Sequence, residues 1–244
     1  MRRQSHSRFE PARPAGRYIL GSRSPRRLEL LRLLVPEHQI EVIPPRSPDE
    51  PGFEGIDTWE GICAHLQAIA RAKAAQVAQQ VPLAQRDGAV VIAADTAVIV
   101  DQEQGQATGD AAAILRGRAL LVLGQPPADS TWRDTVREWF CRWYAGRTHI
   151  VATAVRVEGP AEQVAERVVT SAVTFRPDVH RWLDWYLATD EPLGKAGGYA
   201  LQGAASVFVE RVEGSLSNVV GLPLEALLDM LPIAHPRQQN DSAS

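Results

Sequence analysis

The stretch AVVIAADTAVIV (Ala89–Val100) constrains this chain more than any other. It is almost continuously apolar and rich in β-branched residues. That is the signature of a strand buried on both faces, inside a sheet covered by other elements. One carboxylate, Asp95, interrupts it and is followed by Thr96. A carboxylate among apolar neighbours is costly unless it is paired or binds a metal. The plain alternative is a turn cap at the end of the strand, but the apolar run continues to Val100 and weighs against it.

Around this strand the pattern predicts a mixed α/β chain. Residues 17–21 read as a short buried strand, and Ser24-Pro25 then opens a helix with Ser at the N-cap and Pro at the first helical position, running to about Leu34. IEVIPP (Ile40–Pro45) reads as a strand stopped by prolines, and Thr58 to about Gln80 as a helix. Residues 101–119 form a polar, Ala/Gly-rich insertion, and 120–130 a strand ending in a turn. Residues 131–144 are strongly amphipathic, with Trp132, Val136, Trp139, Phe140 and Trp143 on one face, a stripe that reads as core. Two alternating strands follow, THIVATAVRVEG and ERVVTSAVTFRP. A helix over 178–189 is expected to turn Trp182, Trp185 and Tyr186 inward. ASVFVERVEG reads as a strand and LPLEALLDML as a closing helix. Strands and helices do not alternate strictly, so a mixed sheet flanked by helices in two lobes fits better than a doubly wound one.

Composition removes several classes. A net charge of −3 argues against a nucleic-acid binder, and no run of about 18 apolar residues reads as a membrane span. The arginine-rich first residues lack the apolar segment of a secretory signal. Residues 1–16 and 235–244 read as disordered tails around one domain, 17–234. Cys63 and Cys141 lie far apart and read as free thiols of a cytoplasmic protein.

Three stretches can carry chemistry. SRSPRR (Ser22–Arg27) puts two hydroxyls and three cations at a helix start, where backbone N–H groups already favour an anion. A solvated cap has the same residues, and both readings stand. Asp49 and Glu50 lie in a loop between prolines; folded over the Asp95 strand, they gather oxygens suited to Mg²⁺ or Mn²⁺, and taken alone they are solvated loop acids. LGKAGGYALQG (Leu193–Gly203) sets Lys195 among glycines that permit close approach to a ligand, with Gln202 offering both a donor and an acceptor; a flexible turn with a surface lysine reads the same way. The six histidines show no metal-ligand spacing, and His149 reads as structural.

Taken in order, SRSPRRLELL, IPPRSPDE, AIARAKA, AADT, GRTHIVATAV, VTFRP, EPLGKAGGYALQG and SNVVGLPL resemble the Maf family of nucleoside triphosphate pyrophosphatases, from about Tyr18 to Leu231. The resemblance implies an elongated mixed sheet with two lobes around a central cleft. It implies hydrolysis between the α and β phosphates with a divalent metal, in the branch that acts on dTTP and UTP. It implies Asp95 as proton acceptor, with Glu50 and Asp95 at the metal. Arg26, Thr96 and Gln202 match positions that set base specificity, and Ser22, Ser24, Arg27, Lys73 and Lys195 match other polar cleft positions. The family often forms homodimers. Two departures stand out: Gln125 occupies the place of a phosphate-contacting lysine, and Gly194 that of an aspartate. Losing a charge-assisted contact costs roughly 1.5–3 kcal/mol, so the alternative expectation is a weakly active or non-catalytic nucleotide-binding protein. Arg116 or Arg118 in the insertion are candidates to replace the lost charge.

Overall fold

The apolar run forms the inner strand of a seven-stranded mixed sheet. The computed structural model describes residues 16–47, 51–82, 85–86, 88–102, 115, 119–160 and 163–231. The strands are β1 (Arg17–Gly21), β2 (Ile40–Val42), β3 (Ala89–Asp101), β4 (Leu120–Leu123), β5 (Thr148–Glu158), β6 (Val164–Phe175) and β7 (Val209–Gly214). Their order is β2-β1-β3-β5-β6-β7, with β4 also pairing β3. β2, β1 and β3 are parallel; the β3, β5, β6 and β7 pairings are antiparallel.

β3 is long enough to serve two neighbours on one edge. β1 covers it from Ala89 to Ala93, and β4 covers it from Val98 to Asp101. Between them, residues 94–97 have no strand beside them on that edge, while β5 pairs the other edge without a break from Val91 to Ile99. The C-terminal ends of β1 and β4 face each other across this gap. Strand carboxyl ends that stop short of each other in this way leave a crevice for a ligand.

Among the described residues six α-helices accompany the sheet: α1 (Pro25–Leu31), α2 (Trp59–Gln80), α3 (Trp132–Trp139), α4 (His180–Leu187), α5 (Leu216–Val220) and α6 (Leu224–Met230). Thr58 caps α2, accepting from the Gly61 N–H. Its buried stripe of Ile62, Leu66, Ile69, Ala70, Ala74 and Val77 covers one face of the sheet along β3. Burying each large aliphatic side chain contributes about 1.5–3 kcal/mol. The opposite face carries two separate cores. Val90, Ile92 and Ala94 pack with Leu30, Leu31, Leu222 and Leu227. Val98 and Val100 pack with Phe140, Tyr144, Phe175, Tyr186, Tyr199 and Phe208. These two cores are the two lobes, and Thr96 lies between them. Among the described residues no helix is long and apolar enough to cross a membrane.

The architecture matches the expected mixed α/β sheet, with local corrections. α1 stops at Leu31 rather than Leu34. The amphipathic segment ends in a π turn, Phe140–Tyr144. Trp185 is 51% exposed, not inward. On a two-turn helix that buries Leu183, Tyr186 and Leu187, it falls on the far side. Ala204–Phe208 is a 3₁₀ turn rather than strand, because the Glu191 carboxylate accepts from the Ala204 and Ala205 N–H groups at 2.7 and 3.3 Å and so caps it. Arg116, Arg118 and nearly all of the 101–119 insertion lie outside the described residues, as do 1–15 and 235–244.

Candidate active site

The gap beside residues 94–97 opens into a cleft of about 770 Å³. The start of α1, the middle of β3, the end of β4 and the 193–202 loop all line it. Among the described residues its charged lining is Arg23, Arg26, Arg27, Lys73 and Lys195 against Asp95. In a chain of net charge −3, this concentration of cations gives one hollow a positive potential.

Asp95 forms the floor. Its Oδ1 accepts from Lys73 Nζ at 2.7 Å, and the two side chains are 9% and 10% exposed. Lys73 stands on the buried stripe of α2, where an apolar residue is the rule. Asp95 explains it: each member of the pair meets the other's need for an opposite charge. The chain contains only two lysines, Lys73 and Lys195, and both line the cleft. Everywhere else its basic side chains are arginines.

SRSPRR both caps a helix and lines the cleft. Ser24 is the N-cap of α1, accepting from the Arg27 N–H, and Ser22 Oγ accepts from the Ser24 N–H at 3.1 Å. The same residues line the cleft. Arg27 is tied down: Nε donates to the Gly221 carbonyl at 2.8 Å, Nη2 to Thr96 Oγ1 at 3.0 Å and Nη1 to Ser22 Oγ at 3.4 Å. Thr96 Oγ1 in turn lies 3.0 Å from Thr153 Oγ1, and Thr153 Oγ1 donates to the carbonyl of buried Asn218 at 3.3 Å. Thr96 therefore points to the face opposite Asp95, as strand alternation requires. Arg23 spans to the 45–47 loop, donating to the carbonyls of Pro45, Arg46 and Ser47, and its role carried no sequence signal.

Across the cleft, Lys195 Nζ donates to the carbonyls of Glu191 and Leu193. Burial and the nearby Arg26 hold its pKa below the usual lysine value, with Glu191 partly opposing them. Gln202 is exposed and Gln125 stands at the end of β4, both on the cleft wall. Behind the loop, His149 is buried and shares a 2.7 Å hydrogen bond with Tyr199. Burial drives its pKa down to about 3, so it is neutral and structural. The structure thus brings Ser22, Ser24, Arg26, Arg27, Lys73, Asp95, Thr96, Lys195 and Gln202 to one cleft. Glu50 lies outside the described residues; its neighbour Pro51 lines the cleft.

The family described as Maf-like protein matches residues 17–233. The chain belongs to the Maf-like family. A dTTP/UTP pyrophosphatase from Anaeromyxobacter sp. (strain Fw109-5) is 38% identical over 228 residues, 91% of this chain and 92% of that protein. A dTTP/UTP pyrophosphatase from Syntrophus aciditrophicus (strain SB) is 34% identical over 231 residues, 93% of this chain and 96% of that protein. Among solved structures, a nucleoside-triphosphatase / dITP/XTP pyrophosphatase from Mycobacterium abscessus shows 15% identity and a TM-score of 0.35 over 66% of this chain and 74% of that one. The Maf-like match spans both lobes and the whole described lining of the cleft.

Proposed function

We propose that this Maf-like chain is a nucleoside triphosphate pyrophosphatase that hydrolyses dTTP and UTP to the monophosphate and pyrophosphate. The observation that carries the reading is the cleft itself: among its described residues, five cations and one carboxylate in a nucleotide-sized hollow, in a chain whose relatives are named dTTP/UTP pyrophosphatases. Its volume falls in the ordinary range for small-molecule sites, about 300–1,000 Å³.

The triphosphate must lose effective charge before water can attack it. Arg26, Arg27, Lys195 and the hydroxyls of Ser22 and Ser24 supply that. Asp95 accepts the proton of the attacking water as the α–β phosphoanhydride bond breaks and pyrophosphate leaves. Lys73 holds Asp95 in place through Oδ1. Gln202 reads the base edge, and Thr96 acts on specificity through Arg27, whose guanidinium it helps to place.

Among the described residues no group of three His, Cys, Asp or Glu side chains assembles. One carboxylate at the floor is nonetheless what a Mg²⁺ or Mn²⁺ ion needs when phosphate oxygens and water complete its shell. Asp95 and Glu50 would hold it. When bound, such an ion neutralises phosphate charge and acidifies water. We assign the protein to the cytoplasm, where the free thiols of Cys63 and Cys141 stay reduced.

The test is a panel of dTTP, UTP, a methylated GTP and modified pyrimidine triphosphates, each with Mg²⁺ or Mn²⁺, read by pyrophosphate release. Turnover should be highest with dTTP and UTP and absent in Asp95→Asn. Binding without pyrophosphate release from any of them would overturn the reading.

A further inference from the structure

Two tyrosines that do not line the cleft reach the turn that carries one of its lysines. Tyr144, the last residue of the π turn after α3, donates its hydroxyl to the Gly197 carbonyl at 2.9 Å. Tyr186, on α4, donates to the Gly198 carbonyl at 3.0 Å. Both residues are fully buried, and burial keeps both phenols protonated and able to donate. Two adjacent peptide carbonyls are thus gripped from two separate helical elements. The turn is fitted to that grip. Gly197 and Gly198 have φ of +67° and +70°, and a Cβ at Gly197 would lie 2.6 Å from the Tyr144 hydroxyl. The Gly197 N–H also donates to the Gly124 carbonyl at 2.9 Å, which fastens the turn to the end of β4.

Lys195 stands two residues before Gly197, half-buried and facing Arg26. A Gly-Gly turn is the most adaptable backbone a chain can use. Like-charge repulsion from Arg26 and the pull of solvation both favour swinging the amine out into water, against its bonds to the Glu191 and Leu193 carbonyls of the same loop. Glu191 is the acidic group that counters Arg26 at this amine.

We propose that Tyr144 and Tyr186 are positioning residues for triphosphate hydrolysis: their hydroxyls hold the Gly197 and Gly198 carbonyls and thereby keep the Lys195 amine inside the cleft, opposite Arg26, where a phosphate binds between them. This rests on the functional reading above. The grip predicts more than stability, because it acts on the position of one amine.

The two-lysine composition makes that amine observable. Biosynthetic ¹³C,¹⁵N-lysine labelling yields two side-chain signals, one from Lys195 and one from Lys73, which is held by Asp95 on another element and serves as internal reference. In Tyr144→Phe/Tyr186→Phe the Lys195 signal should titrate at higher pH, towards the ordinary 10.5. KM for dTTP should rise several-fold with a smaller change in kcat, and this rise should vanish in a Lys195→Met background. If the double variant does not fold, each single variant removes one grip and is read in the same way. A lower melting temperature with the Lys195 titration and KM of the wild type would overturn the proposal, as would KM effects that persist unchanged without Lys195. Should the wild type hydrolyse no triphosphate, the functional reading fails while the Lys195 titration still decides the grip.

Discussion

Replacing Lys73 by methionine and then removing Asp95 as well tests what the buried ion pair contributes. Methionine keeps the length and apolar stem of lysine on the buried stripe of α2, so little packing is lost. What disappears is the charge 2.7 Å from Asp95 Oδ1. The carboxylate, 9% exposed, then sits among apolar neighbours without its counter-ion. Breaking a buried pair in this way costs about 3–5 kcal/mol. Asp95 borders the cleft and water reaches it there, so the lower end applies, about 3 kcal/mol. For a chain of this size that lowers Tm by about 6–12 °C. Lys73→Met/Asp95→Leu removes both charges and should recover most of that loss, since a buried pair exchanged for apolar groups is close to neutral. Neither variant should release pyrophosphate from dTTP. Thermal unfolding by circular dichroism and a pyrophosphate assay on the same samples provide the check. A Lys73→Met protein that melts with the wild type, or a double variant no more stable than the single, would refute the account of the pair. Hydrolysis surviving in the double variant would remove Asp95 from the chemistry.

Two further outcomes are expected. Gln125→Lys restores a cation at the end of β4, on the cleft wall; a charge-assisted phosphate contact contributes about 1.5–3 kcal/mol, so KM for dTTP should fall about tenfold or more, and an unchanged KM would mean that another cation already serves that phosphate. His149 has its pKa pushed from 6.5 to about 3 by burial. Above pH 6.5 it is neutral folded or unfolded; below, only the unfolded chain gains the proton, so stability is lost as pH falls from 6.5 towards 3, by up to about 1.4 kcal/mol per pH unit. The stability difference between wild type and His149→Phe, measured by urea unfolding from pH 7 down to pH 4, should therefore narrow on acidification, and a constant difference would contradict the assignment.

How legible these features were in the sequence depended on their range along the chain. Asp95 was visible because a lone acid inside an apolar strand demands a partner. Ser24 and Pro25 announced a helix start by residue type alone, and the structure makes them cap and cleft wall together. The partner of Asp95 was not visible locally. Its trace was a lysine in phase with Ile62, Leu66, Ile69 and Val77 on α2, a charge on a stripe that buries everything else. The hydroxyls of Tyr144 and Tyr186 meet Gly197 and Gly198 only because three elements distant in the chain pack around one aromatic core. No local pattern encodes that meeting. Trp185 misled for a simple reason: a short helix buries one narrow face, and bulk alone does not decide which residues occupy it.

β3 and β5 run side by side from Val91 to Ile99, beneath both lobes, as one unbroken ladder. A clamshell motion needs a pivot of a few loose residues between its halves, and this spine offers none. The walls of the hollow are borne on a common rigid keel. Discrimination between one base and another must then come from side chains and from the loops around the rim, so swapping those loops between relatives should transplant substrate preference without disturbing the frame that carries them.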